Sequence, residues 1–195
     1  MKSTITLLLL YGAFWFWYTP SGAPLSDKEI EAYLSRIDSA EGRAQIEAFA
    51  REDTGRSFYM FNALDLDESP GSIDGAPAGA DGQQLMDLYM EHMLPALLAR
   101  ASHPVFFGVT VGKSVEVVGI ENAETWDRGA LVRYRSRRDL LDIVTNPDFR
   151  GRHHFKVAAL EKTIAYPIET PFFPGDLRLL LGLVAALLIS LSLRR

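Results

Sequence analysis

The stretch Thr125-Trp-Asp-Arg-Gly-Ala-Leu-Val-Arg-Tyr-Arg135, followed at once by Ser136-Arg-Arg-Asp-Leu-Leu-Asp-Ile-Val144, passes from a strand pattern to a helix pattern at a single residue. In the first half successive side chains alternate between faces, so Trp126 and Arg128 share one face and Asp127 takes the other. In the second half Ser136 offers an N-cap hydroxyl, and Leu140, Leu141 and Val144 recur at helical spacing. Asn146-Pro147 ends that helix. A strand feeding directly into a helix is half of an α+β unit, and the rest of the chain supplies the other half.

Upstream, Ser57 to Leu64 is short and aromatic-rich, which signals a strand. Asp65 to Gly82 is loaded with Asp, Gly, Pro and Ser and reads as a long loop, without the regular oxygen-ligand spacing of a calcium site. Asp81 then opens a helix carrying Leu85, Leu88, Tyr89, Met93 and Leu97, bent near Pro95. Val105–Val111 reads as a strand, with a turn at Gly112-Lys113 and a further strand pattern over Ser114–Ile120. Downstream of the quoted stretch, a short helix over Phe149–Glu161 and a strand over Thr163–Ile168 complete the domain. The order is that of a ferredoxin-like split βαβ arrangement, an α+β fold. Before it, Ser26-Asp27-Lys28-Glu29 is a capping box, and Ser39 caps a second helix ended by Gly55, so residues 21–56 read as a linker and helical arm.

The two ends have a different character. Ile5 to Tyr18 and Leu179 to Leu193 are nearly free of charge. Trp15, Trp17 and Tyr18 suit a headgroup layer, and the second run covers about 25 Å as a helix. Residues 1–20 and 171–195 are therefore expected to be single transmembrane helices flanking a domain at 57–170. Lys2 and Arg194-Arg195 would put both termini in the cytoplasm and the domain in the periplasm, giving a two-pass inner-membrane protein. Gly182, Ala185, Ala186 and Ser190 form a seam of small residues suited to close helix approach.

Composition narrows the function. Among 195 residues the net charge is −5 with no contiguous cationic stripe, which argues against nucleic acid. There is no cysteine, which removes disulfides, thiolate nucleophiles and Cys-type zinc sites. No phosphate loop, nucleophile elbow, paired-carboxylate or metal-ligand spacing is present, so no metal or cofactor is expected and an enzymatic role is not favoured.

Several phrases resemble a known family: Tyr59-Met-Phe-Asn62, Pro104-Val-Phe-Phe-Gly108, Trp126 to Arg138, Asn146-Pro-Asp-Phe149 and Ala158-Ala-Leu-Glu161. Over residues 57–168 they are similar to an uncharacterised branch of the dimeric alpha-beta barrel superfamily, near its EthD-like members. The resemblance implies a homodimer with two sheets packed face to face and a pocket between each sheet and its helices. Asn62, His92, Trp126, Arg133, Tyr134 and His154 are the pocket candidates. Trp126 and Tyr134 would wall an apolar pocket, and Arg133 or Asn62 would fix a polar group of a ligand. The alternative for each is barrel packing or a surface role, and adjacent His153 and His154 point too far apart to share a metal.

Two functions follow as expectations. One is an accessory or scaffold subunit of a membrane complex, partnered by lipid and by other membrane-protein helices, with the barrel as docking or dimerisation module. The other is a membrane-tethered enzyme or binder for a small hydrophobic, quinone-like molecule.

Overall fold

The computed structural model describes residues 2–193. In chain order its elements are α1 (Lys2–Tyr18), α2 (Asp27–Leu34), α3 (Ala40–Arg51), β1 (Phe58–Leu66), α4 (Gly82–Ala99), β2 (His103–Val109), β3 (Arg128–Tyr134), α5 (Arg137–Val144), α6 (Pro147–Ala158), β4 (Leu160–Ile168) and α7 (Leu177–Leu193). The four strands form one sheet in the order β2-β3-β1-β4, with every neighbouring pair antiparallel. α4 joins β1 to β2, and α5 with α6 joins β3 to β4. This is the ferredoxin-like topology.

Local chemistry starts the helices where the caps predict. Ser26 and Glu29 close a reciprocal capping box on α2, Asp81 and Gln84 do so on α4, and Ser39 and Ser136 cap α3 and α5. Gly82 at the start of α4 donates its N–H to Asp67, which in turn donates to Ala159, so three elements converge at one point. A Cβ at Gly82 would lie 2.5 Å from the Ala159 carbonyl oxygen, so only glycine fits.

The sheet's register divides its residues between two faces. Phe58, Met60, Asn62 and Leu64 of β1 face the helices with Ala130, Val132 and Tyr134 of β3. There Phe58, Met93, Ala96, Leu97, Tyr134, Leu140 and Ile143 form the main core. The helical arm extends this layer: Ile30, Tyr33, Leu34 and Ala50 pack on Leu141 of α5, and the Tyr33 hydroxyl donates to Asp142 at 2.7 Å.

The other face carries Tyr59, Phe61, Leu131, Arg133, Phe106 and Tyr166. At one end it is covered by the C-terminus of α1, whose last carbonyls have no intrahelical partner. β3 and the residue after it supply cations to them: Arg133 donates to the Tyr18 carbonyl at 3.0 Å and Arg135 to that of Trp17 at 3.1 Å. α7 lies along α1, with Gly182 so close to Tyr11 that a Cβ there would meet its hydroxyl at 2.8 Å. The rest of this sheet face is open, with Phe106 59% and Tyr166 46% exposed.

Two expectations are corrected. Among the described residues no helix is long and apolar enough to cross a membrane, which overturns the two-pass inner-membrane assignment and the periplasmic placement that followed from it. α1 and α7 each have 17 residues, and Lys2 and Arg178 fall within them. The uninterrupted apolar run is thus shorter than the ~30 Å hydrocarbon layer requires. Arg194 and Arg195, used for orientation, lie outside the described residues. The strand expected over Ser114–Ile120 is also absent. That segment is a loop held across its neck by Ser114 donating to the Glu124 carbonyl at 2.8 Å, and its valines face outward with no ladder partner.

Candidate functional site

Between the sheet and α4 lies a partly open cavity of about 140 Å³. β1 contributes Asn62, β3 contributes Val132 and Tyr134, and β2 contributes Phe107. α4 lines it with Met86, Tyr89, Met90 and Met93 at helical spacing, and α6 contributes Lys156. The walls are therefore flexible thioethers and aromatic rings, interrupted by three polar groups.

Each polar group is held differently. Asn62 is 9% exposed, and its Nδ2 donates to the Met60 carbonyl at 3.0 Å, which fixes the side-chain plane. Tyr134 stacks on Phe58 with ring centroids 5.2 Å apart and planes 9° apart. Burial, with a contribution from neighbouring Tyr89, raises the Tyr134 hydroxyl pKa, so it stays protonated. Burial alone pushes Tyr89 up to about 12. Lys156 stands with its ammonium 5.9 Å from the Tyr89 ring centre, and burial lowers its pKa from the ordinary lysine value. Among the described residues no carboxylate lines the cavity. An amine partly withdrawn from water without an anion beside it loses some of its preference for the charged form.

The structure gathers two of the six sequence candidates, Asn62 and Tyr134, into this cavity and disperses the others. Arg133 follows the strand alternation to the opposite face, where it is fully buried. Its guanidinium lies 3.6 Å from the centre of the Tyr18 ring and donates to the carbonyls of Ala101 and Tyr18. It cannot reach a ligand on the Tyr134 side. Trp126 sits in the loop before β3; its Nε1 donates to the Ala123 carbonyl at 3.0 Å, and the Lys162 ammonium lies 5.1 Å from its ring centre. It shares no wall with Tyr134.

His92 lines a second hollow of about 230 Å³, with Arg152, His153 and Phe149, on the far side of Tyr89 and Met93. There burial, then nearby Lys156, lowers the His153 pKa. His154 Nε2 lies 3.1 Å from the Asp74 carbonyl and ties α6 to the long loop. Among the described residues no cluster of three His, Cys, Asp or Glu is disposed to hold a metal.

Lys156 is the residue sequence reasoning passed over. The signal was present, because Lys156 shares a helical stripe with Arg152, His153 and the fully buried Ala159.

No family model and no curated protein matches the chain. Among solved structures, a structural-genomics protein of unknown function from Rhodopseudomonas palustris is 20% identical. The match covers 71% of this chain and 97% of that one at a TM-score of 0.55. The methylated form of that protein matches at 21% identity over 72% and 96%, again at 0.55. A dimeric protein of unknown function and ferredoxin-like fold from Bacteroides fragilis is 14% identical over 58% and 96%, at 0.34. These likenesses concern the fold alone.

Proposed function

We propose that the domain binds a small, largely apolar molecule bearing a carbonyl or anionic oxygen, quinone-like in shape, in the cavity between the sheet and α4. One observation carries this reading: a lysine with no acidic partner among the described residues, a protonated phenol and an anchored amide converge on a methionine-lined cavity. The apolar walls would take the body of the ligand, and the three donors would orient its oxygen. Titration with duroquinone, followed by quenching of aromatic fluorescence, tests it. Saturable binding should weaken at least tenfold in Met90→Trp, which fills the cavity, with the circular dichroism spectrum unchanged. Absence of saturation, or equal binding by Met90→Trp, would overturn the reading.

The finer architecture proposed with it is the dimeric alpha-beta barrel near the EthD-like proteins, with residues 57–170 as its domain. In it, the open sheet face around Phe61, Leu131, Phe106 and Tyr166 would pack on a second copy. Light scattering should give twice the monomer mass, and Tyr166→Glu should return it to the monomer value.

A second reading, an accessory or scaffold role, is favoured by the helix pair α1 and α7. Leu9, Phe16, Leu183 and Leu187 stand 60% or more exposed on it, an apolar surface larger than isolated exposed residues would give. In this reading the pair docks against apolar helices of a partner protein. Leu9→Lys combined with Leu187→Lys should abolish co-purification with that partner while leaving duroquinone binding intact; co-purification unchanged by the double variant would remove the reading.

A further inference from the structure

We propose that the cavity is a covalent carbonyl site, in which the Lys156 amine condenses with an apolar aldehyde or ketone to form an imine. The inference rests on the binding reading above and specifies the ligand class of the same cavity. A lysine attacks carbonyl carbon only through its neutral amine, and the surroundings decide how often that form exists.

The molecule contains its own control. Lys162 faces Asp65 at 3.3 Å and donates to the Asn122 carbonyl at 2.6 Å, so it has both an acid and a carbonyl acceptor. Lys156 has nothing equivalent. The titratable groups near it are Tyr89 from α4, Tyr134 from β3 and His153 on its own helix, and the β1 and β2 walls bring Asn62, Leu64, Pro104 and Phe107, none of them charged. Among the described residues its attraction comes from a ring face 5.9 Å away.

The step balances without an oxidant, reductant or second substrate. The Nζ lone pair adds to the carbonyl carbon, and the two amine protons pass to the former carbonyl oxygen. That oxygen leaves as water, so amine plus carbonyl gives imine plus water. Tyr134, whose hydroxyl keeps its proton, and the Asn62 amide are the cavity's donors to that oxygen before it leaves. The apolar walls exclude bulk water, which would otherwise hydrolyse the imine.

The test is reductive trapping. The full chain is incubated with one equivalent of benzaldehyde and sodium cyanoborohydride, and adducts are located by peptide mass spectrometry. Lys156 should carry at least ten times the label of Lys28, Lys113 or Lys162. Excess duroquinone should suppress that label tenfold, and Lys156→Arg should abolish it. Label spread over the exposed lysines, or an undiminished total in Lys156→Arg, would overturn the covalent proposal. If trapping fails while duroquinone still binds, the binding reading stands and the carbonyl chemistry falls. If duroquinone does not bind yet Lys156 is selectively trapped, the carbonyl site stands and the quinone-like ligand is excluded.

Discussion

Arg133 and Lys156 are two cations on opposite faces of one sheet, the first fully buried and the second half-buried, and they are treated in opposite ways. Arg133 donates to two backbone carbonyls and stacks on Tyr18, so its charge is absorbed by the end of α1 and by the loop residue Ala101. Lys156 points among methionines and aromatics, and no acid lines its cavity. Burial lowers the pKa of both, yet for Arg133 the ordinary value is so high that the guanidinium stays charged. With two of its nitrogens on carbonyls and its plane on a ring, Arg133 ties the end of α1 to the sheet. A cation without such partners costs stability, which the binding proposal offsets with a ligand's oxygen.

Arg133→Met should have the largest effect on stability. It leaves the carbonyls of Ala101 and Tyr18 without their donor and removes a charged hydrogen-bond pair of a kind that contributes about 1.5–3 kcal/mol per bond. A loss of about 3 kcal/mol is expected in urea denaturation, together with faster proteolysis between α1 and α2 as the helix pair detaches from the sheet. If Arg133→Met were as stable as the parent, the role assigned to Arg133 would be gone, and the contrast with Lys156 would go with it.

Lys156→Met should move stability the other way, upward by about 1 kcal/mol, because a poorly solvated charge is replaced by apolar volume. The pH dependence gives an independent sign. A lysine whose folded pKa is lowered is deprotonated in the folded state while the unfolded chain, near the ordinary 10.5, still binds the proton. Through that window the unfolded state holds more protons, so the parent gains stability as pH rises. Below the folded pKa the penalty is present in full. The difference in unfolding free energy between parent and Lys156→Met should therefore shrink as pH rises through the folded pKa toward the ordinary 10.5. A flat difference would mean that Lys156 is hydrated and unperturbed.

How much of this contrast could be read from the residues depends on whether the information was local. The caps at Ser26, Ser39, Asp81 and Ser136 are local, and the helices begin at them. Strand alternation is local too: Arg133 and Tyr134 are consecutive, so they belong to opposite faces, and grouping them in one pocket overlooked that. Trp126 was drawn into the pocket because the strand was begun at Thr125, whereas pairing starts at Arg128. The apolar termini were legible by composition, but their length and the polar residues inside them decide whether they span a bilayer. The stripe of α6 that holds Lys156 was legible, but which side of α6 meets the sheet is set by tertiary packing.

The smallest effect separates the two ways in which Tyr18 serves Arg133. Burial, more than offsetting Arg133, pushes the Tyr18 hydroxyl up to about 12, so it is protonated. The Pro104 carbonyl 2.9 Å from His103 Nδ1 can only accept, which puts a proton on Nδ1 and, in the neutral imidazole, leaves Nε2 to accept from the Tyr18 hydroxyl at 2.7 Å. Tyr18→Phe keeps the ring under the guanidinium and the backbone carbonyl that accepts from it, and removes only the hydroxyl. The expected loss is about 1 kcal/mol, the net value of one such hydrogen bond, or a Tm lower by about 3 °C. Tyr18→Ala, which also removes the stacking partner, should cost about 1 kcal/mol more. If the two variants were equally destabilised, the stack would contribute nothing, and Arg133 would be held by its hydrogen bonds alone.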